Sequence, residues 1–294
     1  MTNRKKDLSE IILIYTGVAF IGFITAEIST GHPIIRAAIA NLAMTFSIFL
    51  VSIWKKNSSA YDAYWSIIPS FLTIWLFFEP YTQPWGIWHW ASMLMVNLWS
   101  WRLSYNWAKG WSGWKHEDWR YIELKAEHTN LYPIINFFGI HLFPTAIVFL
   151  SSLSLFFIAA TSNFSAILMI IGLSIGLLGI LLESVADAQL HKFRKRPDRM
   201  KENGKELLDT GLWGIIRYPN YLGEIMFWWG IAALGLGAGG HWWLIIGAIS
   251  MAGLFGFVSI PMKNKHMQQR YPEFDKYRSR TRAFLPWKKP LSKV

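Results

Sequence analysis

The sequence predicts an all-α fold, a polytopic membrane helical bundle of about eight transmembrane helices, and three observations support this. Hydrophobic residues make up 53% of the 294 positions, 18 are Trp and the mean hydropathy is +0.25, which is too apolar for an ordinary soluble domain. Eight apolar stretches approach or exceed spanning length. Of the 29 Lys and Arg, 27 fall in one alternate set of loops, so the positive-inside rule predicts that both termini are cytoplasmic.

The eight predicted spans form a single domain, residues 1–294. They cover residues 11–30, 34–54, 64–79, 86–105, 133–158, 164–190, 221–236 and 241–260. The first resembles a signal peptide because Arg4 and two lysines precede it, but it is long for an h-region and has no small-x-small cleavage site, so we expect a retained span. Residues 1–60 then form an extra helix pair ahead of a core at 61–294.

Charge and composition exclude several functions. The net charge of +11 is spread over short loops between apolar runs and forms no basic groove with interleaved aromatic residues, so no nucleic-acid partner is expected. With no Cys, the chain has no disulfide, thiolate metal site or Cys nucleophile. The histidines show no metal-ligand spacing, and no metal site is predicted.

Residues 106–132 are too polar to span a membrane and are rich in Trp. This composition predicts a segment that lies at the membrane interface. The tryptophans either anchor it at the headgroups alone or share in the rim of a site.

The most informative stretch is 208–230, which passes from a basic loop into an apolar helix. Pro219 suits the first turn of that helix. Asn220 and Glu224 then lie four residues apart on one face, able to hold one polar group together. An acid within a membrane helix suggests a functional site, and the alternative is that a neighbouring helix satisfies Glu224.

The sixth span ends in a polar stripe that contains Glu183, Asp187 and Arg194. Its last turns are either solvated or part of a site. The basic loop at 191–220 attracts anionic lipid, and it would equally suit the phosphates of a dinucleotide. No Gly-x-Gly-x-x-Gly follows a strand, and no strand is predicted, so any nicotinamide cofactor must be held by helix ends and loops.

Three short motifs carry a family resemblance: Gly211-Leu212-Trp213, Arg217-Tyr218-Pro219-Asn220-Tyr221-x-Gly223-Glu224 and Trp229-Gly230. They resemble the signature of the steroid 5α-reductase superfamily, of the 3-oxo-5α-steroid 4-dehydrogenase C-terminal domain type, and particularly its bacterial branch of unassigned membrane proteins. The resemblance runs from about Asp62 to the C-terminus. Isoprenylcysteine and phospholipid methyltransferases share a similar Arg-x-Pro-x-Tyr core, so the motif alone does not separate hydride transfer from methyl transfer.

The resemblance implies NADPH as cofactor and a set of residues that hold it. That set is Arg102, Glu183, Asp187, Arg194, Tyr218, Asn220, Glu224, His266 and Tyr277. Asp187 and Arg194 match the family's cofactor-binding Asp and Arg, whereas Glu183 stands where the family has Asn. Where the methyltransferases have a Glu-Glu pair, this chain has Lys265-His266, which favours the reductases.

The family's catalytic Glu-x-Pro is missing from this chain. Asp62, at the inner start of the third span, is the expected replacement, with Tyr64 as a second donor. A shielded acid stays protonated near neutral pH and polarises an enone oxygen. The alternative is that Asp62 only caps the span.

The leading hypothesis is therefore an integral-membrane NADPH-dependent reductase of an activated C=C bond in a lipid-soluble, steroid- or enone-like substrate. The expected location is a bacterial inner membrane, with lipid around the spans and the cofactor site on the cytoplasmic side. The second hypothesis is an S-adenosylmethionine-dependent methyltransferase of the isoprenylcysteine or phospholipid type. A third is a membrane protein without enzymatic activity. The oligomeric state is left open.

Overall fold

A computed structural model describes residues 2–196, 200–201 and 204–284. Its helices are α1 (Thr2–Ile28), α2 (Pro33–Lys55), α3 (Tyr64–Phe78), α4 (Ile87–Gly110), α5 (Trp119–Glu127), α6 (Tyr132–Ile134), α7 (Phe143–Ser152), α8 (Ser154–Ala160), α9 (Ala166–Arg194), α10 (Pro219–Gly237), α11 (Ile245–Gly253), α12 (Ile260–Arg270) and α13 (Phe274–Arg280). Single 3₁₀ turns lie at Ser58–Tyr61, Gly211–Gly214 and Trp242–Leu244. The sequence predicts no strand, but a small antiparallel pair, β1 (Met200–Lys201) and β2 (Gly204–Lys205), lies in the basic loop.

Within the described residues, five helices are long and apolar enough to cross a membrane: Arg4–Ile28, Pro33–Lys55, Tyr132–Ala160, Ala166–Arg194 and Trp242–Arg270. This confirms the predicted all-α fold with several helices suited to a membrane, whereas the count of eight spans and their orientation stay predictions. The other three predicted spans also form helices, α3, α4 and α10, which are shorter or less apolar than these five.

Two of the long helices contain a π-helical segment. Ile135–Leu142 joins α6 to α7, and Leu254–Ser259 joins α11 to α12. A π segment widens the helix and shifts the face that the following residues present. The second segment precedes α12, which contributes cations to the cavity described below.

Helices α9 and α10 cross with their backbones very close together. A Cβ atom added to Gly223 would lie 2.6 Å from the backbone oxygen of Gly179, and one added to Gly230 would lie 2.7 Å from that of Gly172. Only glycine permits this separation, and small residues at a crossing give membrane helices their packing contacts. Beside the crossing, Trp99 of α4 stacks on Phe227 of α10 with ring centroids 4.5 Å apart, and both side chains are fully buried.

Arg36 and Arg102 are the two cations that the sequence leaves within or beside spans, and both are paired with acids. Arg36 makes two hydrogen bonds to the carboxylate of Glu79, at 3.0 and 2.9 Å, and another to the carbonyl of Ala26. Arg102 pairs with acids of α9 at the other end of the bundle. A buried charge is tolerated when a partner neutralises it, which explains how both arginines occur outside the basic loops.

The α9–α10 crossing can be tested by substitution. Gly223→Ala places a methyl group against backbone and should destabilise the protein by about 1–3 kcal/mol, the usual range for overpacking. Thermal or chemical denaturation in detergent measures this. Gly17→Ala in α1 is the matched control, because nothing lies within 4 Å of its added Cβ. Equal stability of the two variants would contradict a tight crossing.

Candidate functional site

A cavity of about 570 Å³ opens among the C-terminal end of α9, the start of α10, and α12 and α13. Residues 116–119, just before and at the start of α5, complete its wall. Six of the residues that the sequence predicts for the cofactor lie in this wall: Asp187, Arg194, Tyr218, Asn220, His266 and Tyr277. The fold thus brings together residues more than eighty positions apart in the chain, as expected for a binding site.

The central motif is held in place by the C-terminal segment. The Tyr277 hydroxyl donates to the carbonyl of Trp213 at 2.6 Å, and the Tyr218 hydroxyl donates to Asn264 at 2.7 Å. The backbone N–H of Arg217 donates to the carbonyl of Arg282 at 2.9 Å. These bonds fasten α12 and α13 against the start of α10 and fix the shape of the cavity.

The wall of the cavity carries an excess of unpaired positive charge. Its acids are already paired with arginines that lie outside it: Asp118 with Arg120 at 2.7 Å, Asp187 with Arg102 at 2.8 Å. A third wall acid, Glu206, lies 3.6 Å from Arg196, likewise outside the wall.

Three cations of the same wall, Arg194, Lys263 and Arg270, have no hydrogen-bond or ion-pair partner among the described residues. Lys263 also lies close to the guanidinium groups of Arg194, Arg120 and Arg270. Lys263 is half-buried, whereas Arg194 and Arg270 are exposed, and Asp118 offsets only part of the repulsion among these like charges. The arrangement therefore favours a multivalent anion in the cavity.

Aromatic rings line the same cavity. Trp119 stacks on His266 with centroids 3.9 Å apart, and Tyr218 stacks on Tyr221 at 5.4 Å. His266 Nδ1 lies 3.1 Å from Glu123, and Lys265 pairs with Glu127 at 2.7 Å, so α5 is attached to α12. The Trp-rich interfacial segment therefore forms one wall of the cavity, which agrees with a share in the rim.

Three predicted cofactor residues lie beneath the cavity instead of in its wall. Arg102 pairs with Glu183 at 2.5 Å as well as with Asp187. Glu224 accepts one indole N–H from Trp99 and one from Trp228, both at 2.9 Å. Only 2% of Glu224 is exposed, and the two indoles occupy both of its oxygens. Asn220 lines the cavity with a buried side-chain oxygen that has no partner among the described residues.

Neither Asp62 nor Tyr64, the two residues that the sequence predicts as proton donors, belongs to the wall. Asp62 accepts from the Tyr121 hydroxyl at 2.6 Å and from Arg120 at 3.3 Å, and Arg120 links it to Asp118 of the wall. Burial raises the pKa of Asp62 to about 6, against the opposing effect of Arg120. The Tyr64 hydroxyl lies 3.3 Å from that of Thr45, and Tyr64 is 4% exposed.

Sequence reasoning missed Lys263, Arg270, Trp119 and Tyr221 as wall residues. A signal for the first two was present, since Lys263, His266 and Arg270 are spaced by three and four residues and share one helical face. Trp119 had no comparable signal, because its contact with His266 joins two helices far apart in the sequence.

Comparison with known proteins places the chain in a family. The profile of the family described as "Protein of unknown function (DUF1295)" matches residues 48–281. The uncharacterized protein C594.04c of Schizosaccharomyces pombe is 26% identical over 302 aligned positions, which cover 95% of this chain and 86% of the yeast protein. No solved structure matches the chain. The chain belongs to the DUF1295 family, which is part of the steroid 5α-reductase-like group of membrane proteins.

Proposed function

We propose that this protein is an integral-membrane, NADPH-dependent reductase of an activated C=C bond in a lipid-soluble substrate of the enone or steroid type. The observation that carries the proposal is the cavity wall, in which Arg194, Lys263 and Arg270 make no ion pair with the described residues and lie beside stacked aromatic rings. A dinucleotide with three phosphates and two flat ring systems has matching chemistry.

The residues present fit such a cofactor. The three cations would hold its phosphates, and Trp119 and Tyr221 offer ring faces. The unpartnered oxygen of Asn220 would accept a hydrogen bond from the nicotinamide carboxamide. When bound, NADPH would supply a hydride, and the protein's own part is to orient the ring, exclude water and supply a proton.

Asp62 is the proposed proton donor and Tyr64 the second candidate. Asp62 reaches the cavity side through Arg120 and Tyr121, which are hydrogen-bonded to it. Its raised pKa keeps part of the population protonated near neutral pH, as a general acid requires.

The proposal includes eight spans with both termini in the cytoplasm, a bacterial inner membrane and a cavity that opens to the cytoplasm. Its support is the division of loop charges, because the loops that border the cavity belong to the basic set.

Intact-ligand mass spectrometry of the purified protein separates this proposal from the methyltransferase alternative. Bound NADP(H) would support the reductase proposal, whereas bound S-adenosylmethionine would support the methyltransferase instead. Lys265, at the position where the methyltransferases have acids, is paired with Glu127 and lies outside the cavity wall.

Lys263 should contribute to the affinity for NADPH. Lys263→Met removes a charge-assisted contact worth about 1.5–3 kcal/mol, so the dissociation constant should rise by about tenfold or more. Lys265→Met is the matched control, since Lys265 lies two residues away on the same helix and faces Glu127. Fluorescence titration with NADPH measures both variants. Equal affinity of Lys263→Met and the wild type, or equal binding of NADH and NADPH, would contradict phosphate pairing.

Turnover should depend on the protonation of Asp62. The protonated form of Asp62 is the active one, and because its pKa is about 6 this form predominates below pH 6. The rate should therefore be level at low pH and fall as the pH rises through and above 6. Asp62→Asn should still bind NADPH but lose most of its turnover, and the remaining rate should no longer fall as the pH rises through 6. Steady-state rates of NADPH oxidation with an enone check the profile, and wild-type rates in the variant would assign the acid elsewhere.

Topology reporters check the orientation. A reporter fused after the last residue should be active in the cytoplasm, and one inserted at Gly31, between α1 and α2, should be active outside it. A C-terminal reporter that is active only outside would overturn the proposed eight-span topology.

A further inference from the structure

The polar cluster beneath the cavity contains more acids than one arginine can neutralise. Glu183 and Asp187 of α9 and Glu224 of α10 all interact with the single guanidinium of Arg102 on α4. The exposed Arg194, near the end of α9, also interacts with Asp187, but not with the two glutamates. With every acid ionised, the cluster would carry two uncompensated negative charges in the bundle interior, which is very costly.

The partners of each acid show where a proton resides. Asp187 is the best compensated as an anion, since the same oxygen accepts from Arg102 and from the Asn106 amide, both at 2.8 Å. Glu183 has Arg102 on one oxygen, while its other oxygen is buried without a partner among the described residues. Glu224 accepts hydrogen bonds from two neutral indole N–H groups, and its interaction with Arg102 is longer-range than an ion pair. Glu183 and Glu224 are therefore the two acids whose negative charge is least compensated.

The helix crossing forces these two acids together. A Cβ added to Gly223 would lie 2.8 Å from Cβ of Glu183, so the Glu183 side chain starts against the residue that precedes Glu224. Both carboxyl groups also face the same guanidinium, that of Arg102, and both residues are less than 5% exposed. Two carboxyl groups so close and so buried do not both ionise.

We infer that Glu183 and Glu224 share one proton and form an acid pair beneath the floor of the cavity. One carboxyl group donates its O–H to the other, and together they carry a single negative charge. Asp187, one helical turn from Glu183 and part of the cavity wall, connects the pair to water in the cavity.

The pair gives the cavity a way to respond to the charge of its occupant. A positive charge placed near Asp187 favours ionisation of the pair, and the released proton passes to water in the cavity. This consequence rests on the proposed function, because an oxidised nicotinamide ring is positively charged and the reduced ring is neutral. The pair would then release a proton when the oxidised cofactor occupies the site.

Infrared spectroscopy of the cofactor-free protein tests the pair without relying on the reductase proposal. At pH 8 the wild type should show the C=O absorption of a protonated carboxyl group, with the expected shift in heavy water. Glu183→Gln and Glu224→Gln should each remove it, because the remaining acid ionises beside Arg102. Asp187→Asn is the matched control and should retain it, because Glu183 and Glu224 are then both still present and still lie against each other in the helix crossing.

Wild-type protein without this absorption would overturn the inference, as would its persistence in both glutamine variants. Loss of the absorption in Asp187→Asn alone would also overturn it by placing the proton on Asp187. If one glutamine variant does not fold, the difference spectrum between the wild type and the other variant shows whether the absorption belongs to the pair. Failure of NADPH to bind would contradict the reductase proposal and leave the infrared result intact.

Discussion

The contact between α9 and α10 is the constraint on which the rest of the structure depends. Glycines at the crossing let the two backbones approach so closely that a methyl group at Gly223 would overlap the Gly179 carbonyl. Because the helices cross there, the polar end of α9 and the first turns of α10 meet at one point. The cavity lies directly above this crossing and the acid cluster lies within it, so both take their positions from a contact between backbones.

Charge inside the bundle follows a simple rule: each arginine that is not in a basic loop has acidic partners. Arg36 pairs with one buried acid, Glu79, and its second partner, Glu27 at 3.4 Å, is half-exposed, so only one acid depends on Arg36 in the bundle interior. Arg102 faces three acids and is outnumbered. The first arrangement suits a structural tie between α2 and the end of α3. The second leaves an excess of acid, which a purely structural tie does not need, and it lies against the cavity.

The family assignment and the cavity support each other without fixing a reaction. A profile that covers residues 48–281 includes every residue of the cavity wall, so the site belongs to the part of the chain that the family shares. The family itself is described as having unknown function. The case for a reductase therefore depends on the chemistry of the wall, where unpaired cations and stacked rings occur together, and on the motif that surrounds Asn220.

The sequence by itself determined the membrane class, the positions of the helices and the importance of the motif at 208–230. It could do so because hydropathy, loop charge and an acid in an apolar helix are local properties, each visible within one or two turns. It also placed Asp187, Arg194 and Asn220 in one site, through their spacing within α9 and α10 and a resemblance to a known family.

Only the tertiary structure decided which predicted residues line the cavity and which lie beneath it. Glu224 shares a helical face with Asn220, yet the indoles of Trp99 and Trp228 occupy its carboxyl group. Lys263 and Trp119 entered the wall through contacts between distant segments, and Asp62 was separated from the wall by Arg120. Whether a residue lines the cavity depends on which helices cross and on how closely they approach. Glycines set the distance between α9 and α10, and the sequence alone does not show which residues of the other helix they contact.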